Sequence, residues 1–161
     1  MSATQSLVHE AVKVVTAILP INTTGAGQTG RYVNLKNAKK LAIVIQTGAW
    51  AGGTAAVTLR QAKDNADGSG KALGFSTMYT NIADTTKDAL VKTTVAANTF
   101  DVGTANGTWV IEVDPHDLDV ANGFTHLRVA TASPGANADL ISAIYLLTPL
   151  TYDQGATEPR A

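Results

Sequence analysis

Ala55-Ala-Val-Thr-Leu-Arg-Gln-Ala62 alternates in chemistry: Val57 and Leu59 fall on one side, Thr58 and Arg60 on the other. A period of two marks a strand with one face in a core and the other in water. Asp64-Asn-Ala-Asp-Gly-Ser-Gly70 follows, a turn with Asp67-Gly68 as its expected tip. Asp-Gly suits a hairpin tip because both residues tolerate positive φ. Leu73, Phe75, Thr77 and Tyr79 then alternate on the way back. Residues 55–79 therefore read as a β-hairpin.

The same period recurs on both sides of this unit. Trp109, Ile111 and Val113 share one face of Thr108–Val113, and Leu127 and Val129 share one face of His126–Thr131. The stretches 12–19, 31–35, 89–95, 99–102 and 140–147 also read as strands. Pro20, Pro115 and Pro149 read as stops, since proline cannot donate to a ladder. Leu41-Ala-Ile-Val-Ile-Gln46 is apolar throughout, which predicts cover on both of its faces. Gly48 to Gly53 surrounds Trp50 with small residues, as a loop does.

No segment carries a sustained 3.6-residue period with helix caps. Eight to ten short strands, separated by Gly, Pro, Asn and Asp, predict an all-β fold: two packed antiparallel sheets or a barrel. The expected core is Val57, Leu59, Phe75, Trp109, Ile111, Val113, Leu127, Val129 and Ile144. Residues 1–11 and 151–161 lack strand alternation, so they read as an N-terminal arm and a C-terminal tail around a domain at 12–150.

Composition narrows the function. At 161 residues the chain is one domain's worth, long enough for a core without covalent staples. It has no cysteine, which excludes disulfides, a thiolate metal site and a cysteine nucleophile. The net charge of -1 gives no broad attraction to nucleic acid or anionic lipid. No apolar run approaches the ~20 residues that span a bilayer. Residues 1–7 show neither the basic nor the apolar region of a secretion signal, so none is expected. Ala, Thr, Gly and Asn make up 71 of the residues and only three are Glu, a balance that suits close-packed β structure rather than charged helices.

Few motifs survive their context. Gly25-x-Gly27-x-x-Gly30 matches the dinucleotide fingerprint, but strand-like Arg31–Leu35 follows where a helix N-terminus must receive the pyrophosphate. Gly70-Lys71 lacks the Ser or Thr and the earlier glycine of a phosphate loop. Asp114, Asp117 and Asp119, with Asn122, could offer oxygens to a cation, as could Asp64 and Asp67, but the spacing fits turns better than any calcium loop. His9, His116 and His126 stand in unrelated settings and no nucleophile elbow is present. Neither a catalytic residue, a cofactor nor a metal is expected.

Three stretches, LAIVIQTGAWAGGTAAVTLRQA (41–62), KALGFSTMYTN (71–81) and WVIEVDPHDLDVANGF (109–124), resemble small virion structural proteins of tailed bacteriophages. The resemblance implies an all-β, antiparallel β-sandwich, jelly-roll-like, that serves as a non-enzymatic capsid decoration, or cement, protein on the outer surface of the phage head. It implies the major capsid protein and other copies of the chain as partners, with neither nucleic acid nor membrane. It also implies a place on the virion surface after assembly in the host cytoplasm. A tail or head-completion component and a carbohydrate-binding sandwich are the alternatives. Low charge lets many copies pack closely, and arms outside the sandwich add attachment points. Leu7, Val8 and Tyr152 in the two ends, and Trp50 in its loop, are the expected contacts with a capsid or a neighbouring copy.

Overall fold

The computed structural model describes residues 11–67, 69–82 and 89–150. The strands are β1 (Lys13–Asn22), β2 (Gln28–Thr29), β3 (Val33–Asn34), β4 (Ala38–Thr47), β5 (Ala55–Ala62), β6 (Lys71–Ala72), β7 (Thr77–Asn81), β8 (Val91–Thr94), β9 (Thr99–Val102), β10 (Thr108–Val113), β11 (His126–Thr131) and β12 (Leu140–Leu150). Two short 3₁₀ turns, Pro115–Asp117 and Val120–Asn122, link β10 to β11.

Two antiparallel sheets form. Sheet A has the order β1-β12-β4-β10-β7-β8. Sheet B is built on β11 and β5, flanked by β2 and β3 on one side and by β6 and β9 on the other. Count β2 and β3 as one interrupted strand and set β6 to β8 aside as an insertion. Eight strands remain: sheet A runs first, eighth, third, sixth, and sheet B runs second, seventh, fourth, fifth. That nesting is the double Greek key of a jelly roll. The fold is a β-sandwich with the jelly-roll strand order, and the β7–β8 hairpin widens sheet A.

The core lies between the sheets. Leu41, Ile43, Ile45, Trp109, Ile111, Val113, Ile141, Ala143, Tyr145 and Leu147 point inward from sheet A. Val57, Leu59, Leu127 and Val129 meet them from sheet B. The indole of Trp109 needs Gly107, because a Cβ there would stand 2.2 Å from Trp109 Cη2.

Tyr145 joins the two sheets. Its hydroxyl accepts the Val129 N–H (2.9 Å) and donates to the Arg31 carbonyl (3.0 Å). The edge beside β11 is broken between β2 and β3, so the phenol supplies a partner where the ladder has none. Burial pushes the Tyr145 phenol above its usual pKa, so it stays a donor.

Four expectations are corrected. Ile144 is half-buried and faces outward, because its neighbour Tyr145 takes the core position. Phe75 is only half-buried, against Phe100 in an edge-to-face pair with centroids 6.0 Å apart. The 55–79 hairpin is two residue pairs long, Arg60↔Ala72 and Gln61↔Lys71. Beyond it the chain crosses to sheet A, and the buried positions shift from Leu73 to Met78 and Thr80. Finally, β1 runs through Pro20 and β12 through Pro149. At Pro20 the strand lies on the sheet edge, where a missing N–H costs no ladder bond.

Candidate functional site

The outer face of sheet A is more apolar than the open side of a sandwich requires. Register fixes its rows. Ile144 stands opposite Val44, Val44 opposite Val110, and Val110 opposite Tyr79. One row along, Val14 stands opposite Leu146 and Leu146 opposite Ala42. These side chains alternate with the buried ones on each strand, so they point away from sheet B. All are half-buried by one another except Val14, which is 56% exposed.

Polar residues frame the patch. Ser142, Gln46, Thr108 and Asn81 line one side. Lys40, Thr148 and Glu112 line the other, and Lys92 lies beyond Tyr79. A groove of about 480 Å³ opens where this face meets Ile21 and Leu140. The apolar run at 41–46 thus has cover on one face within the chain. On the other, no third layer lies among the described elements.

Trp50 stands at one end of the sandwich, among loops tied by backbone bonds: Gly25 to Gly135, Gly48 to Leu140 and Asn106 to Gly48. Asp139 organises them. It is fully buried, and its Oδ1 accepts the N–H groups of Ala51 (2.5 Å) and Gly52 (3.3 Å). Gly53 sits at φ +77° with its Cα against the Pro134 carbonyl, a place no side chain could occupy. Trp50 packs half-buried on the core and donates its indole N–H to the Gly53 carbonyl (3.0 Å).

The other expected contacts, Leu7, Val8 and Tyr152, lie outside the described residues. The strands that lead to them are informative. β1 starts and β12 finishes side by side, with Lys13 opposite Leu147. That end of sheet A is opposite to the Trp50 loops, about 30 Å away along β4. The start of β1 and the end of β12 therefore lie away from Trp50.

Sheet B presents a different outer face. Arg60 and Arg128 stand directly opposite each other. Two like charges in that position repel, and Asp67 bridges them from the loop after β5. It accepts from Arg60 Nε (2.9 Å), from Arg128 Nη2 (2.8 Å) and from the Tyr32 hydroxyl. The Arg128 guanidinium lies 4.8 Å from the Tyr32 ring centroid. The Arg60 hydrogen bond, then that of Tyr32, holds the Asp67 carboxyl below its usual pKa.

The remaining candidate ligands are engaged in turns. Asp114 accepts the His116 N–H (2.9 Å), Asp117 accepts the Asp114 N–H (3.1 Å), and Asp119 pairs with Lys71 and Asn122. His116 is exposed beside Asp114, whereas His126 is buried with Nδ1 2.9 Å from Thr125 Oγ1. Among the described residues no three His, Asp or Glu side chains gather as a metal site. The fingerprint glycines have a packing role: a Cβ on Gly27 or Gly30 would stand 2.4 or 2.5 Å from a β11 carbonyl. They let β2 lie against β11.

The jelly-roll sandwich sets the class of the fold. No family model matches the chain, and no curated protein matches it. Among solved structures, the crystal structure of SPBc2 prophage-derived protein YomS is similar, with a TM-score of 0.45 and 11% identity over 84% of this chain and 92% of that one.

Proposed function

We propose that the chain is a non-enzymatic structural protein of a phage particle, a capsid decoration protein that packs on the outer surface of the head. The observation that supports it best is the apolar outer face of sheet A. Ile144, Leu146, Val44 and Val110 stabilise the protein fully only when something covers them. An apolar centre with a polar rim is the anatomy of a protein–protein contact. The fold alone favours no role, since jelly rolls serve capsids and lectins alike.

The paired exit of both chain ends supports lattice binding as well. An arm that orders on a neighbour loses about 1–2 kcal/mol of backbone entropy per residue. Leu7, Val8 and Tyr152 are the apolar groups that would offset this. The alternative, a tail or head-completion part, differs in stoichiometry. Copies in the hundreds per particle fit decoration, and a single ring of copies fits a tail or portal part.

The test is binding to purified capsids that lack the protein. The expected result is saturable binding, weakened when 1–10 or 153–161 is deleted. Full binding by both truncations moves the attachment surface to the sandwich. No binding by the intact chain overturns the proposal.

A further inference from the structure

We infer that the outer face of sheet A is closed by a second copy of this chain, packed sheet to sheet about a two-fold axis through Val44. The inference rests on reading that face as an interface, and it names the occupant.

Size is the first consideration. The apolar rows cross five strands, β1, β12, β4, β10 and β7. At about 4.8 Å between strands and about 7 Å between alternate residues, the rows and their polar flanks cover roughly 25 by 20 Å. Two such faces bury about 1,000 Å² in total, at the threshold of a specific protein–protein interface. The expected association is therefore weak and concentration-dependent.

Symmetry is the second. A two-fold contact needs a patch that complements itself. The central row Ile144, Val44, Val110 and Tyr79 is uncharged, and it ends in Thr16 on β1 and Lys92 on β8. An axis along this row sets each of these residues on its own copy. The flanking rows then exchange. Glu112, two residues from Val110 on β10, meets Thr108 of the other copy rather than a second carboxylate. Ala42 meets Gln46 and Leu146 meets Ser142, so small or polar neighbours receive the larger side chains. Lys92, at the end of the row, faces its counterpart where both side chains extend into water, and Lys40 stays at the rim. A partner of strong charge finds nothing to pair with between Ile144 and Tyr79.

Sheet B offers the contrast. Arg60, Arg128 and Asp67 occupy the middle of its outer face. A copy placed there would bury charges already paired within one chain. Of the two outer faces, only that of sheet A suits self-association.

The test uses the purified full chain. Sedimentation equilibrium over roughly 1–100 µM brackets the affinity expected of a contact this size. The wild-type chain should move from monomer to dimer mass across that range. Val44→Lys should remain monomeric, with an unchanged circular dichroism spectrum. Because the chain has no cysteine, a second test needs no background removal. Val44→Cys should cross-link into a covalent dimer with a short bis-maleimide, which spans the gap between packed sheets, and Thr58→Cys, on the outer face of sheet B, should not. A wild-type chain that stays monomeric at every concentration overturns the inference, as does equal cross-linking of the two cysteine variants. A monomer that still binds capsids leaves the decoration reading intact. A dimer that binds no capsid leaves the self-contact intact and removes that reading.

Discussion

The two outer faces of this sandwich are opposites. Sheet A joins long strands in continuous register, β4 with β12 and β10, and shows valine, isoleucine and leucine to the outside. Sheet B has two full strands between broken edges, and it shows two arginines locked on one aspartate. Continuous pairing leaves side chains free to serve a partner. Broken pairing calls on side chains to complete the fold, and Tyr145 and Asp67 do so. One face is suited to assembly and the other is committed to holding its own layer.

Predictions follow that contrast in order of size. Trp109→Ala removes the largest side chain buried between the sheets and should cost about 3–5 kcal/mol, read as a lower denaturant midpoint. An unchanged midpoint would place the indole outside the core.

Tyr145→Phe should cost about 1–3 kcal/mol, because it strands the Val129 N–H and the Arg31 carbonyl. Amide exchange should quicken at Val129 while β4 and β10 stay protected. Uniform loss of protection would mean that the phenol supports both sheets equally.

Acid should act mainly on sheet B. Asp67 has a lowered pKa in the folded chain, so its stabilising effect is present above about pH 4, the unfolded carboxyl value, and fades as pH falls through the folded value. Wild type should be more stable than Asp67→Asn at neutral pH, and the two denaturant midpoints should converge on acidification below that point. A gap that stays constant to pH 2 would show that the ionised carboxylate is not the source.

The smallest effect belongs to the outer face of sheet A. Val44→Thr should change the stability of the isolated monomer by less than about 1 kcal/mol, since Val44 is only half-buried, by its cross-strand neighbours Ile144 and Val110. A loss of about 2 kcal/mol or more would mean that the chain itself covers this face.

The class of the fold is legible in the order of residues alone. Alternation at 55–62, 108–113 and 126–131 marked strands with one buried face, and Val57, Leu59, Trp109, Ile111, Val113, Leu127 and Val129 are all in the core. A period of two is a local property and can be read locally. Parity in an all-apolar strand cannot. Residues 140–147 are apolar at both parities, and only pairing with β4 turned Tyr145 inward and Ile144 outward.

The same reason hid the outer face of sheet A. The run at 41–46 signalled two apolar faces, but register alone aligned Val44 with Ile144 and Val110. The alternation at 73–79 misled because the chain changes sheets there, which shifts the buried parity by one. The joining of Arg60, Arg128 and Asp67 also needed the tertiary fold. Arg60 and Arg128 lie on strands far apart in sequence, and a cross-strand contact between them exists only once β5 and β11 have paired.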